Sequence, residues 1–360
     1  MTKVLVVDDS ALMRRHLRGI LEDEGVFEVV TARNGIDALE QIQQVDPDVV
    51  TLDINMPEMD GLTCLSHIMD SSPRPVVMVS SLTASGALAT FEALELGAVD
   101  YLAKPGGTVS HNMRDHADEL VEKVRSAARA RVRGRGGART LGERLRRRRD
   151  EHGAALRRRP SRDDASTAAG TRAELVVIGA STGGPGILGD ILAELPASFP
   201  LPIIIAQHIP ASFSGPLAKR LDTECALTVE EVGASRPLAP GLVLVGRGDH
   251  DVVLTKRGGA MAARAVPNDP NLRWHPSVDR LVRSAMGYYD PRAVIAVQLT
   301  GMGDDGAQAM ADLHAQGGRT IAESQDSAVV WGMPGELVQR GGATKVLPYG
   351  QVADQLLRWI

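Results

Sequence analysis

Short apolar segments alternate with helical patterns along most of the chain, and this alternation limits the possible fold more than any other feature. Between the apolar runs, hydrophobic residues recur at helical spacing, as they do from Leu12 to Leu21. Near-continuous apolar strands separated by helices indicate a parallel sheet covered on both faces. In the first third of the chain the predicted strands are Lys3–Val7, Val26–Thr31, Val49–Leu52, Val76–Ser80 and Asp100–Ala103.

The last half of the chain repeats this pattern. Its main predicted strands are Leu175–Ile178, Pro202–Gln207 and Ala293–Thr300, and a helix is predicted from Ile187 to Leu195. We therefore expect an α/β protein with two doubly wound parallel-sheet domains.

A basic segment separates the two predicted domains. From Glu122 to Arg172 the chain has seventeen Lys and Arg against six Asp and Glu, whereas the remainder carries a net charge of −16. The segment has too few large apolar residues to build a core of its own, so it is interpreted as a flexible linker. Two interpretations stay open, a solvated spacer and an electrostatic tether to an acidic receptor, a membrane surface or nucleic acid. The predicted boundaries are 1–122, 123–172 and 173–360.

Polar and charged residues follow the strand ends of the first domain. They are, in chain order, Asp8, Asp9, Asp53, Ser80 and Lys104. Because ligands bind at the carboxyl ends of parallel strands, we expect these side chains to meet. Converging carboxylates repel one another unless a cation lies among them, and oxygen ligands favour a hard ion such as Mg²⁺. One carboxylate could then attack phosphorus while Lys104 neutralises the transferred group.

This constellation resembles the receiver domain of two-component response regulators, which has a flavodoxin-like fold. The resemblance covers about residues 1–122 and is carried by Val6-Val7-Asp8-Asp9-Ser10, Leu52-Asp53-Ile54-Asn55-Met56-Pro57, Met59-Asp60-Gly61 and Lys104-Pro105.

The resemblance implies that Asp53 accepts a phosphoryl group from a histidine kinase. It also implies that Asp8, Asp9, Asp53 and the backbone carbonyl of Asn55 hold Mg²⁺. Ser80 and Tyr101 would be the pair of switch residues that, with Lys104, respond to phosphorylation.

A Gly-rich turn, Gly179-Ala180-Ser181-Thr182-Gly183-Gly184, follows the first strand of the second domain. A strand, a tight turn and a helix in this order are typical of an exposed nucleophilic serine, here Ser181. The alternative, a phosphate-binding loop, would need a G-x-G-x-x-G register or a G-K-[ST] sequence, and the turn has neither. His208 and Asp305 lie just beyond two later strands. A serine nucleophile needs an imidazole base and a carboxylate that orients it, so these residues predict a Ser–His–Asp site.

The second domain resembles the catalytic domain of the chemotaxis protein-glutamate methylesterase family across nearly all of residues 173–360. The order of receiver, linker and esterase also matches that family. The motifs that carry the resemblance are Ile178-Gly179-Ala180-Ser181-Thr182-Gly183-Gly184, Gln207-His208-Ile209-Pro210, Pro276-Ser277-Val278-Asp279, Leu299-Thr300-Gly301-Met302-Gly303-Asp304-Asp305-Gly306 and Gly332-Met333-Pro334.

The resemblance implies hydrolysis of glutamate γ-methyl esters on chemoreceptors, with deamidation of receptor glutamines in many members. Ser181 would be the nucleophile, His208 the general base and then acid, and Asp305 the residue that orients it. The amide of Met302 would stabilise the oxyanion, and Thr182 would support the histidine. No cofactor is implied for this reaction.

The chain departs from the family pattern at two places. Asp304 stands where Asn is common before the catalytic Asp, although the Gly-x-Asp-Gly register favours Asp305. Trp274-His275 precedes the Pro276-Ser277 motif where an Arg is usual, so a receptor contact through that Arg is not carried over.

The implied partners are methyl-accepting chemotaxis receptors as substrates and a chemotaxis histidine kinase as phosphodonor. Two distant cysteines, Cys64 and Cys225, suit a reducing cytoplasm, where we expect the protein. A DNA-binding response regulator is the alternative from another class, but residues 173–360 lack the pattern of a recognition helix, so we expect no DNA binding. A docking scaffold without activity conflicts with the complete Ser–His–Asp set.

Overall fold

The computed structural model describes residues 1–81, 83–104, 113–130 and 171–360. Most of the predicted linker, residues 131–170, lies outside this described part. Among the helices of the described ranges, none combines the length and the apolar character needed to cross a membrane.

The first domain is a five-stranded parallel sheet with the strand order β2-β1-β3-β4-β5, which confirms the predicted doubly wound fold. Several of its helices begin where the sequence supplies a side-chain cap: Ser10, Asn34 and Asp60 each accept a hydrogen bond from an amide of the first turn. The elements are β1 (Thr2–Val7), α1 (Ala11–Asp23), β2 (Phe27–Ala32), α2 (Gly35–Val45), β3 (Val49–Asp53), α3 (Gly61–Ser71), β4 (Val76–Ser80), α4 (Ala84–Leu96), β5 (Asp100–Ala103) and α5 (Met113–Ala127).

The second domain is built on a seven-stranded parallel sheet, which confirms the second predicted doubly wound domain. Its strands are β6 (Leu175–Ala180), β7 (Ile203–Gln207), β8 (Thr228–Val232), β9 (Arg236–Pro237), β10 (Leu242–Gly246), β11 (His250–Arg257), β12 (Ala260–Pro267), β13 (Val294–Gln298), β14 (Arg319–Glu323) and β15 (Lys345–Leu347). The strand order in the main sheet is β15-β14-β13-β6-β7-β10-β8. Its α-helices are α6 (Gly184–Ala193), α7 (Ala211–Glu224), α8 (Val278–Met286), α9 (Ala307–Ala315), α10 (Met333–Gln339) and α11 (Val352–Arg358).

A small antiparallel sheet, β11-β12-β9, extends the second domain and was not predicted. Arg257 pairs with Ala260, so the hairpin between β11 and β12 turns through only Gly258 and Gly259. Both glycines have positive φ (57° and 86°), the geometry that two-residue hairpin turns require.

Helix α5 crosses the predicted boundary between residues 122 and 123. It continues to Ala127 because Val124 and Ala127 pack into the core of the first domain. The predicted linker therefore overlaps the last helix of that domain by five residues, 123–127.

In each main sheet the strand order reverses direction at one strand, β1 in the first sheet and β6 in the second. Strand β1 pairs with β2 and β3, and β6 pairs with β7 and β13. Such switch points leave a crevice at the carboxyl ends of the strands, where ligands bind in this class of fold. The candidate functional residues of both domains lie at these crevices.

Candidate functional site

Three carboxylates and one ammonium group meet at the crevice of the first domain. Asp8, Asp9 and Asp53 each offer an oxygen within 4.8 Å of the others. The Nζ atom of Lys104 lies 2.9 Å from Asp8 Oδ2 and 2.8 Å from Asp53 Oδ2. Burial raises the pKa of Asp53, outweighing the hydrogen bond from Lys104 that favours its charged form. Because a single ammonium group cannot neutralise three carboxylates, the cluster keeps a negative charge. This suits a divalent cation bound by oxygen ligands.

The other predicted residues of this site lie next to the cluster with different contacts. The amide of Asn55 is 3.4 Å from Asp53 Oδ1. The buried Ser80 hydroxyl donates to the carbonyl of Gly86 in α4 (3.2 Å), and Tyr101 is buried against the second domain. The structure thus brings together the four charged residues, while the switch pair contacts α4 and the domain interface.

In the second domain, His208 and Asp305 are joined as the sequence predicts. His208 Nε2 lies 2.8 Å from Asp305 Oδ2, and both side chains are almost fully buried. A carboxylate only accepts, so Nε2 carries the hydrogen of this bond. Nδ1 is buried and has no hydrogen-bond partner among the described residues, which leaves it as the atom that can accept a proton.

The carboxylate of Asp305 is held by the start of helix α8. Its oxygens accept hydrogen bonds from the Ser277 hydroxyl (3.0 Å) and from the amides of Val278 (2.7 Å) and Asp279 (3.0 Å). Burial acts to raise the pKa of Asp305, but the hydrogen bond from His208 and those from the α8 amides outweigh it, so the pKa is lowered. Asp305 is therefore kept as a charged, oriented carboxylate.

The neighbouring Asp304 points away from the histidine. Its side chain is 66% exposed and lies 3.2 Å from the Arg340 guanidinium. The geometry thus separates the two adjacent carboxylates: Asp305 contacts His208, and Asp304 contacts Arg340.

Ser181 lies at the end of β6. The two strands that flank β6 are β7, which precedes His208, and β13, which precedes Asp305. Its amide donates to the carbonyl of Thr300 (2.9 Å), which ties the serine turn to the loop after β13. Within the described residues, the Ser181 hydroxyl forms no hydrogen bond, so its bond to His208 is not made in this structure. Such bonds often form only when substrate is bound.

The loop after β13 presents the amide of Met302 without an acceptor among the described residues, as a donor for an oxyanion must be. Buried Glu323 supports this loop by accepting from the amide of Thr300 (2.7 Å). The hydroxyl of Thr300 in turn donates to the carbonyl of Thr182 (2.9 Å). Glu323 was not predicted from the sequence, because β14 was not predicted and the sequence therefore did not show that its end lies beside this loop.

Thr182, predicted to support the histidine, forms a different bond. Its hydroxyl donates to Asp100 Oδ2 of the first domain (2.6 Å), and both residues are buried. Asp100 also lies 3.4 Å from Lys123 Nζ in α5. Thr182, which follows Ser181, is thus hydrogen-bonded across the domain interface. Its partner, Asp100, directly precedes Tyr101.

Aromatic rings and one ion pair complete this interface. The Tyr101 ring stacks on Phe213 of α7, with centroids 4.8 Å apart and an interplanar angle of 9°, and Phe91 of α4 meets the edge of Phe213. Arg220 of α7 forms an ion pair with Glu95 of α4. The first domain therefore packs on the second through the helix and strand that adjoin its charged crevice.

Trp274, at one of the positions where the chain departs from the family pattern, contacts His208, the candidate base. Its ring stacks on His208 with centroids 5.5 Å apart and planes 9° apart. The Arg273 guanidinium lies 4.9 Å from the centroid of Trp274 and 2.7 Å from Glu122 Oε1 in α5. A cavity of about 490 Å³ beside them is lined by α5 and by the Met302 loop.

Comparison with known proteins agrees with this architecture. Residues 4–111 match the response regulator receiver domain, and residues 176–356 match the CheB methylesterase family. "Protein-glutamate methylesterase/protein-glutamine glutaminase 3" of Rhodospirillum rubrum is 54% identical over 100% of this chain and 96% of its own length. "Protein-glutamate methylesterase/protein-glutamine glutaminase 2" of Rhodopseudomonas palustris is 50% identical over 100% of this chain and 98% of its own length. The crystal structure of the CheB methylesterase catalytic domain of Thermotoga maritima is 36% identical, with a TM-score of 0.50, and covers 53% of this chain and 100% of its own.

Proposed function

The chain belongs to the CheB methylesterase family, and we propose that its second domain hydrolyses γ-methyl esters of glutamates on methyl-accepting chemotaxis receptors. The proposal includes deamidation of receptor glutamines, since the relatives' names include a glutaminase activity. The observation that carries it is the buried bond between His208 and Asp305, placed beside Ser181 at the switch point of the sheet. We place the reaction in the cytoplasm with its proposed receptor and kinase partners.

In the proposed reaction Ser181 Oγ attacks the ester carbonyl carbon while its proton passes to His208 Nδ1. Asp305 stabilises the imidazolium that forms, because its carboxylate is held at Nε2. The negative oxygen of the tetrahedral intermediate accepts a hydrogen bond from the Met302 amide. The C–O bond to the methoxy group then breaks, and the imidazolium gives its proton to the leaving oxygen, which departs as methanol.

Water completes the cycle by attacking the acyl-serine ester. His208 accepts one proton from this water and returns it to Ser181 Oγ as the acyl bond breaks. The glutamic acid that forms on the receptor releases its proton to solvent and becomes a carboxylate. A glutamine substrate follows the same steps, with ammonia as the leaving group in place of methanol.

The first domain is proposed to control this reaction through phosphorylation of Asp53 by a chemotaxis histidine kinase. Mg²⁺ fits the oxygen-rich crevice, where Asp8, Asp9, Asp53 and the Asn55 carbonyl would hold it. The ion would neutralise charge on the transferred phosphoryl group. Lys104 lies 2.8 Å from Asp53 and would add a second positive charge there.

The docked arrangement supports an occlusion mechanism. Asp100 holds Thr182 next to the nucleophile, and Tyr101 of the proposed switch pair is stacked on Phe213. Phosphorylation would move Ser80 and Tyr101 toward Asp53 and weaken this stack, so that the receptor gains access to Ser181.

The activity is tested by incubating the full chain, with acetyl phosphate and Mg²⁺, with receptor that carries radiolabelled γ-methyl esters. We expect labelled methanol in proportion to the label lost from the receptor. Receptor carrying glutamines should release ammonia in a parallel assay. Receptor that keeps its label while Asp53 becomes phosphorylated would refute the proposed substrate and leave only the receiver assignment.

A further inference from the structure

Two buried glutamines end the strands on either side of β6. Gln207 is the last residue of β7 and Gln298 the last residue of β13. In the sheet register Gln207 pairs with Ala180 and Gln298 with Gly179, the two residues that precede Ser181. The glutamines therefore flank the strand end that carries the nucleophile.

The side-chain amide of Gln207 joins the nucleophile to the base. Its Nε2 donates to the carbonyl of Ser181 (2.9 Å) and to the carbonyl of His208 (3.0 Å). The Ser181 carbonyl also accepts from the amide of Gly184 (2.8 Å), so the serine turn is held from two directions. Because both partners are carbonyls, only the NH₂ group can face them, and this fixes the orientation of the amide.

Gln298 makes the equivalent contact on the other side of β6. Its Nε2 donates to the carbonyl of Asp305 (2.9 Å), the residue that orients His208. The two amide groups thus bond to the backbone of all three residues of the site, Gln207 to Ser181 and His208, and Gln298 to Asp305.

Both glutamines leave an amide oxygen buried without a hydrogen-bond partner among the described residues. Such a group costs stability, so its presence calls for an explanation. The oxygens lie against glycines: a methyl group at Gly184 would be 2.1 Å from Gln207 Oε1, and one at Gly306 would be 2.8 Å from Gln298 Oε1. The glycines leave space for these amides, although an apolar side chain in place of each glutamine would avoid the cost of a buried oxygen without a hydrogen bond.

We propose that Gln207 and Gln298 are positioning residues for the Ser–His–Asp site, an inference that rests on the proposed function. Gln207 sets the separation of Ser181 from His208, and Gln298 sets the position of the Asp305 turn. Both side chains are buried, so we expect their loss to lower kcat and leave KM unchanged.

The test compares Gln207→Met and Gln298→Met in the full chain treated with acetyl phosphate. Met has a similar shape and cannot donate. The control is Gln355→Met, which replaces a buried glutamine of α11. The probe is a fluorophosphonate, whose phosphorus bonds to Ser181 Oγ as fluoride leaves and the serine proton passes to His208. The rate is followed by mass spectrometry, beside methanol release and thermal unfolding.

We expect each of the two variants to react about fivefold more slowly with the probe, the loss that corresponds to about one hydrogen bond, and the control to match the unchanged chain. A chain phosphonylated at Ser181 that releases no methanol would refute the substrate, while the slower labelling of the variants would still support the positioning role. Variants with a lower melting temperature and unchanged labelling and kcat would overturn the inference, because the glutamines would then serve stability alone.

Discussion

We expect replacement of Asp305 with Asn to lower kcat for methanol release by about 10⁴-fold. An Asn side chain can present its NH₂ group to His208 Nε2, which then has to accept instead of donating. The imidazole hydrogen moves to Nδ1, the atom that must take the proton of Ser181. The base is thus held in place in the wrong tautomer. Circular dichroism checks that the variant folds, since Asp305 also accepts from the start of helix α8.

Asp304→Asn is the matched control, because the substitution is the same and the residue is adjacent. Asp304 is exposed, and its pair with Arg340 is a contact of small energetic value. We expect kcat within about twofold of the unchanged chain, the effect of a surface substitution away from the site. If the two variants lost activity equally, or if Asp304→Asn lost more, the assignment of Asp305 would be wrong.

The second large effect is expected at the domain interface, where Glu95→Arg should raise methanol release without phosphodonor about tenfold. The new guanidinium would face Arg220 of α7, so an ion pair across the interface becomes a repulsion. The pair is partly exposed and screened, so we expect a change of about 1–2 kcal/mol in docking, close to the 1.4 kcal/mol that shifts an equilibrium tenfold. Acetyl phosphate should then add less than it does to the unchanged chain.

Glu92→Arg, on the same helix, makes the same change of charge at an exposed position and serves as the control. Its release of methanol should not change. A gain in both variants would mean that the charge of α4 acts without the contact to Arg220. No gain in Glu95→Arg, with a normal response to acetyl phosphate, would contradict inhibition through this interface.

Much of the site could be predicted because it depends on chain order and on the geometry of parallel sheets. Ser181, His208 and Asp305 each follow a strand, and parallel strands bring their carboxyl ends to one edge. The same geometry predicted that Asp8, Asp53 and Lys104 meet at the strand ends of the first domain. The local pattern also predicted the five strands of the first sheet and β6, β7 and β13 of the second, because fully buried parallel strands are nearly continuous apolar runs. Strands β8, β10, β14 and β15 were not predicted.

What the sequence did not reveal depends on contacts between distant segments. Thr182 bonds to Asp100 only because the first domain docks on the second, and the chain order contains no record of that docking. Strands β11 and β12 mix charged and apolar residues, so their hairpin gave only a weak signal. The roles of Gln207 and Gln298 follow from the register of β7 and β13 against β6, which single-strand patterns do not fix.

Methanol release by the full chain with and without acetyl phosphate tests directly whether phosphorylation activates the esterase. The comparison includes Asp53→Asn and a sample from which EDTA has removed Mg²⁺. We predict that acetyl phosphate raises the rate of the unchanged chain, and that the variant and the EDTA-treated sample keep the low rate of the docked form. An equal increase in Asp53→Asn, or no increase in any sample, would contradict activation through phosphorylation of Asp53.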